Sequence, residues 1–405
     1  MNTAAAIERI LSHGKKSSTY KLALLRAVVD IVIEQPAQEP RNGFHLIPVV
    51  EIARRFLAYY WKPALLQVPQ GPGSKGSEPR GKGPRIPRLL RELRDQGFMA
   101  ARLDLAQEDM GSSVAEWLVE IPELPPALLD TLLELRGTIL DQPLRYLPNL
   151  GSRRAEVLSV VTIPRADGTG APAWTDDYEE HRKAAPGKRE LRASSWLDLL
   201  SRERTFVVLS SRAYEEIADL RFWLRDAVLV RWLKECQRFA GQEQPISIDV
   251  LQLKIPGRDQ EVVEELKAIY WQAGLRSCLY SGRELGRSQH LDHVLPFSRF
   301  PVNLFWNLVP AQPALNLQKS DRVPALTEPF AGRYREFISS CLAIGTPLLR
   351  RQLQVTWRRY FQEPEPPALP QRQLADQLFE MVRLSHDRLD RAGVETWEPP
   401  AEVLA

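Results

Sequence analysis

Cys278-Leu-Tyr-Ser-Gly282, His290-Leu-Asp292-His293-Val-Leu-Pro296, Asn307-Leu-Val-Pro310 and Asn316-Leu-Gln-Lys319-Ser-Asp321 are the runs that decide how this 405-residue chain is read. Asp292 and His293 are adjacent, and two asparagines follow. A carboxylate binds a hard cation, while a neutral imidazole near pH 7 accepts a proton from water. One carboxylate and one amide oxygen leave most of an octahedral Mg²⁺ shell open for water and other oxygen ligands. Taken singly, an Asp-His pair in a loop reads as a solvated turn, and an Asn near Pro reads as turn chemistry. The order of several such residues at fixed spacing carries more weight than any one of them.

That order, Asp-His-hydrophobic-hydrophobic-Pro, then Asn307, then Asn-x-x-Lys-Ser-Asp, resembles the HNH (ββα-metal) endonucleases over residues 275 to 323. It is similar to the HNH domain of the type II CRISPR RNA-guided nucleases. The resemblance implies a small ββα-metal domain that hydrolyses phosphodiester bonds with Mg²⁺ or Mn²⁺. By carry-over, Asp292 is the carboxylate metal ligand, Asn316 the second protein ligand and His293 the general base. Asn307 pins the loop that orients His293, and Lys319, about one helical turn beyond Asn316, points near the phosphate. His290 reads either as a phosphate contact or as a satisfied loop histidine. Many HNH proteins bind a structural zinc through two Cys-x-x-Cys pairs. Here those positions hold Cys278, Ser281, Gln312 and Leu315, so one thiol remains and no structural zinc is expected.

The rest of the composition is that of an ordinary globular protein, with 44% hydrophobic and 26% charged residues. A net charge of +3 is mild, so a nucleic-acid surface has to come from local patches. Three cysteines, Cys236, Cys278 and Cys341, make no disulfide framework, and no stretch has the length of a membrane span. A cytoplasmic protein without membrane contact is expected.

Four regions follow from the pattern: a mainly α (α+β) chain with helical N-terminal and C-terminal regions around the small ββα-metal domain. Residues 1–150 are helical, with short helices at 3–13 and 113–120 and stronger ones ending near Glu34, Trp61, Gln96 and residue 140. Their order is compatible with a winged-helix-like module. Between them, residues 63–87 form a Gly/Pro loop carrying Lys75, Arg80, Lys82 and Arg85, which reads as a solubilising loop or as a phosphate-contacting arm. Residues 151–258 combine a strand at 156–163, a polar linker at 165–192, a strand at 205–209, a long helix capped by Ser211 and a strand within 246–255; along that helix Leu220, Trp223, Leu224, Ala227, Val228 and Arg231 place a wide apolar face, expected to be core or a subunit contact. Residues 259–325 form the HNH domain, led in by an amphipathic helix that ends at Gly274. Residues 326–405 are helical, with a basic stripe of Arg350, Arg351, Arg358 and Arg359.

The chain lacks a Walker loop and a dinucleotide fingerprint. The expected partner is nucleic acid, double-stranded DNA in the first place, together with a protein partner or a second copy of the chain. A restriction or anti-phage role is the family-level expectation. The rival readings are an RNA-directed or toxin-like nuclease held by a partner, and an inactive nucleic-acid-binding scaffold.

Overall fold

The structure, a computed structural model, describes residues 7, 18–34, 40, 43–71, 84–95, 118–119, 121, 123–145, 158–163, 178–241, 246–251, 260–286, 290–300, 302–361, 363–391 and 393–400. Most of the helices expected at 3–13 and 113–120, and the loop residues 72–83, lie outside them. The chain divides into two compact units, residues 1–33 with 38–254, and residues 34–37 with 255–405. The fold class is the one the pattern predicts, mainly α with small sheets.

In the first unit, helix α1 (Tyr20–Glu34) is apolar on most sides and buried from Leu22 to Val32. Strand β1 (Phe44–Pro48) leads directly into α2 (Val49–Leu65). This helix runs past Trp61 because Pro63 falls in its last turn, where a missing N–H costs one bond. Helices α3 (Arg85–Asp95) and α4 (Pro126–Ile139) pack against α2 and against each other. Strand β2 (Ser159–Thr162), α5 (Tyr178–Ala184), α6 (Trp196–Arg202), β3 (Thr205–Ser210) and α7 (Ser211–Ala240) complete the unit. The sheet is antiparallel in the order β1-β3-β2, with the β-branched run of β3 in the centre.

Two buried polar clusters join these elements. Arg136 of α4 donates to both oxygens of Glu203 at 2.6 and 2.9 Å, fixing α4 to the entry of β3. Gln70 Oε1 accepts from Thr19 at 2.7 Å and from Trp232 Nε1 at 2.9 Å, which ties α7 to the ends of α1 and α2.

Four details differ from the sequence pattern. Tyr178–Ala184, inside the polar linker, is helical, as suits a run of Glu, Arg and Lys. Ile248–Val250, within the expected strand region, is a 3₁₀ turn, because Ser247 accepts from the Asp249 N–H and competes with strand pairing, and residues 252–255 of that region lie outside the described residues. The cap of α7 is Ser210, which accepts from Ala213 N–H at 3.1 Å, and not Ser211. Along α7, Leu224, Val228 and Trp232 are buried, but Leu220 and Trp223 are 40% and 68% exposed.

The second unit begins with α8 (Gln260–Gln272), whose Leu266 and Tyr270 face inward. Gly274, at φ 76°, ends it in a left-handed conformation that a side chain would resist. Strands β4 (His290–His293) and β5 (Leu308–Ala311) pair antiparallel, and α9 (Pro313–Lys319) follows at once. Tyr270 O–H reaches the carbonyls of Phe305 and Leu308 at 3.2 and 3.1 Å, so α8 supports the turn into β5.

Helices α10 (Glu328–Ile344), α11 (Pro347–Thr356) and α12 (Gln371–Arg391) flank this core. Thr327 and Thr346 cap the first two, and a π-helical turn extends α11 to Phe361. Arg333 of α10 donates to the Leu279 and Tyr280 carbonyls at 2.8 and 2.7 Å. From α11, Gln352 accepts from Phe305 N–H at 2.7 Å and Thr356 accepts from Trp306 Nε1 at 3.0 Å. Strand β6 (Val323–Pro324) pairs in parallel with β7 (Thr396–Trp397), and His386 Nε2 donates to the Pro324 carbonyl at 2.8 Å.

Candidate metal and hydrolytic site

An open cleft forms where β4 meets α9. Its lining includes His290, Asp292, His293, Phe297, Asn316, Leu317, Lys319 and Asp321. The hairpin and helix geometry brings Asp292, His293 and Asn316 to one cleft, although 23 positions separate His293 from Asn316 in the chain. Strand β4 sets Asp292 opposite Val309 and His293 opposite Leu308, and α9 presents Asn316, half-buried, from the other wall.

Asp292 is buried and held by two donors. Its Oδ2 accepts from Tyr280 O–H at 2.6 Å and lies 3.1 Å from Lys319 Nζ. Tyr280 is itself fully buried, stacked on Phe330 with centroids 6.0 Å apart and edge-on to Trp397 at 5.3 Å. Burial first, and the Asp292 charge second, hold its phenol well above the ordinary tyrosine range, so it donates across the working pH range.

Lys319, expected near the phosphate, lines the cleft with its ammonium on Asp292. It is fully buried and also donates to the His293 carbonyl at 2.8 Å. The turn of α9 that carries it faces the hairpin core, so its charge acts on Asp292 and on the backbone of His293.

His293 Nε2 lies 3.1 Å from Asn303 Oδ1. An amide oxygen only accepts, so this contact puts the proton on Nε2 and the basic lone pair on Nδ1. Asn307 is fully buried in the loop between. Its Oδ1 accepts from Leu295 N–H at 2.8 Å, and its Nδ2 donates to the Leu295 and Val302 carbonyls at 3.2 and 3.1 Å. His290 opens β4, exposed at the cleft rim.

Tyr280 and Asn303, which contact Asp292 and His293, are positions to which the sequence pattern assigns no role at the site. Tyr280 has the character of a core aromatic, and Asn303 sits in a loop without periodicity. The one available signal for either was a polar group within a short reach of Asp292-His293.

The four positions where relatives place zinc thiolates are joined in another way. Gln312 N–H donates to Cys278 Sγ at 3.4 Å, Ser281 O–H donates to Gln312 Oε1 at 3.0 Å, and Leu315 is buried. Among the described residues, no group of three or more His, Cys, Asp or Glu side chains is placed to hold a metal. The donors of the cleft, a carboxylate and an amide oxygen beside an imidazole, are hard ligands that suit Mg²⁺ or Mn²⁺ with open positions.

Of the basic residues singled out in the first unit, Lys75, Arg80 and Lys82 lie outside the described residues. Arg85 opens α3 and is ion-paired with Glu134, which also pairs with Lys188. In the second unit Arg350 and Arg351 are exposed on α11, and Arg358 donates to the Pro364 carbonyl at 3.1 Å. No helix among the described residues is long and apolar enough to cross a membrane.

The whole cleft falls within residues 278–325, the span that matches the family model described as HNH endonuclease. The larger match is elsewhere. Residues 2–253 match the model described as a domain of unknown function (DUF8808), and since that is more than half of the chain, the chain belongs to this family. No curated protein and no solved structure matches it.

Proposed function

We propose that the chain is a metal-dependent endonuclease that hydrolyses phosphodiester bonds in DNA, with a role in restriction or anti-phage defence. The observation that carries the reading is the convergence of Asp292, His293 and Asn316 on one open cleft within the HNH match. Asp292 and Asn316 would hold the cation. When bound, a divalent ion stabilises negative charge on a phosphate and on its leaving oxygen.

The chain's own residues do the rest. His293, with Nε2–H directed at Asn303, takes the proton of the attacking water on Nδ1. Asn303 holds the ring in that tautomer, and Asn307 holds the loop from which Asn303 projects. Tyr280 and Lys319 hold the carboxylate. In the first unit, Lys75, Arg80, Lys82 and Arg85 supply phosphate contacts that add to affinity.

Purified protein incubated with plasmid DNA, single-stranded DNA and RNA, each with Mg²⁺, Mn²⁺ or EDTA, tests the proposal. Cleavage of DNA that needs the metal, and falls by roughly 10²–10⁴-fold in His293→Ala with metal and DNA binding retained, is the expected result. Cleavage by His293→Ala at the unmodified rate overturns the assignment, and cleavage of RNA alone overturns the choice of substrate.

A further inference from the structure

Among the described residues lining the cleft, Asp292 is the one buried carboxylate, and it is electrically matched. Lys319 Nζ stands 3.1 Å from its Oδ2 and is wholly buried, with the His293 carbonyl as a further acceptor at 2.8 Å. The other acid on the wall, Asp321, is exposed, where water screens it. An arriving divalent cation therefore meets a carboxylate whose charge an ammonium has already cancelled at close range, and an uncharged amide from Asn316. Coulomb attraction grows as the dielectric falls, so a buried ammonium at this distance weighs more heavily than an exposed one. The cleft of the free protein is thus short of the negative charge that a hard divalent ion needs.

We propose that Lys319 makes cation binding conditional on substrate: Mg²⁺ or Mn²⁺ and a phosphodiester phosphate enter the cleft together, the phosphate supplying the charge that Lys319 has neutralised. This rests on the reading of the cleft as a nuclease site. Lys319 is then a positioning residue that sets the order of loading, and Tyr280, which occupies the same Oδ2, leaves Oδ1 as the oxygen for the cation. A purely structural lysine makes the opposite demand. Its removal loosens the hairpin and weakens every ligand, whereas a charge-cancelling lysine, once removed, strengthens binding of the metal alone.

The test uses the full chain carrying His293→Ala, so that substrate stays intact, and Mn²⁺ as the probe, read by calorimetry with and without a short DNA duplex. DNA is expected to tighten Mn²⁺ binding by at least about tenfold, within the range usual for coupled sites. Coupling is reciprocal, so Mn²⁺ must tighten DNA binding by the same factor, and this arm needs no change at Lys319. Adding Lys319→Met is expected to tighten Mn²⁺ binding in the absence of DNA by about tenfold or more and to shrink the coupling. Circular dichroism of that variant identifies misfolding, in which case the reciprocal arm decides.

Equal Mn²⁺ affinity with and without DNA overturns the inference, and so does a folded Lys319→Met variant that binds Mn²⁺ alone more weakly. If the unmodified chain still cleaves DNA with Mn²⁺, the nuclease reading survives either result. If it cleaves no nucleic acid with either metal, that reading fails and the inference falls with it.

Discussion

Replacing Asn307 with alanine should open the loop that carries the His293 partner before it unfolds anything else. The side chain is fully buried and makes three hydrogen bonds to backbone, at 2.8, 3.2 and 3.1 Å. Alanine leaves the Leu295 N–H and the Leu295 and Val302 carbonyls without these partners. An unsatisfied buried group costs about 1–3 kcal/mol, with N–H at the upper end because a carbonyl keeps a second lone pair. Taking about 2 kcal/mol for the amide and about 1 kcal/mol for each carbonyl gives roughly 4 kcal/mol. That is a large share of the stability of an ordinary domain, and it converts to about a 10³-fold loss of protection at about 1.4 kcal/mol per tenfold. Hydrogen exchange read by mass spectrometry over residues 294–307 measures it directly, with α12 as the internal control. Cleavage should fall with protection, since Asn303 is carried on the same loop. Protection in 294–307 that changes by less than about fivefold in Asn307→Ala would refute the reasoning, because it would mean that these bonds do not limit opening.

Three further outcomes are expected. Elemental analysis of protein purified without chelator should show no stoichiometric zinc, and EDTA should stop cleavage while leaving the melting temperature nearly unchanged; one zinc per chain, with unfolding on its removal, contradicts this. Replacing Lys75, Arg80, Lys82 and Arg85 with Ser should flatten the slope of log affinity for duplex DNA against log salt, by about 0.9 for each residue that touches a phosphate, and an unchanged slope returns the segment to the role of linker. Leu317, 82% exposed on the cleft wall beside Asn316, should contact sugar or base of a bound strand, so Leu317→Ser should weaken DNA binding several-fold with no change in melting temperature.

Long periodic segments were readable because burial demands periodicity. Gly274, Gly345 and the caps at Thr327 and Thr346 bound the helices of the second unit where turn chemistry requires. Strand β1 was not readable: five residues ending in proline carry too little alternation, and only its place at a sheet edge, where Pro48 needs no ladder bond, makes it a strand. Along α7, apolar residues at helical spacing specify a face but not what covers it, and Leu220 and Trp223 of that face are exposed within the chain. At the cleft, Asp292, His293 and Asn316 were singled out by their order and its resemblance to the HNH endonucleases, and they line one cleft. Lys319 could be named but not aimed, because spacing along α9 does not say which side faces the hairpin. Tyr280 and Asn303 required coordinates, for their contacts with Asp292 and His293 span 12 and 10 residues and leave no period in the chain.

The pairing of Val323–Pro324 with Thr396–Trp397 has a practical consequence for anyone who wishes to work with a minimal fragment. The homologous span stops at residue 325, yet the floor beneath its acidic residue is finished by an indole that arrives more than seventy positions later, edge-on to Tyr280. An expression boundary drawn around the recognisable motif therefore cuts away the wall against which the phenol rests. Cloned alone, residues 278–325 should behave as an aggregating peptide, whereas a piece spanning 255–405 keeps the whole enclosure.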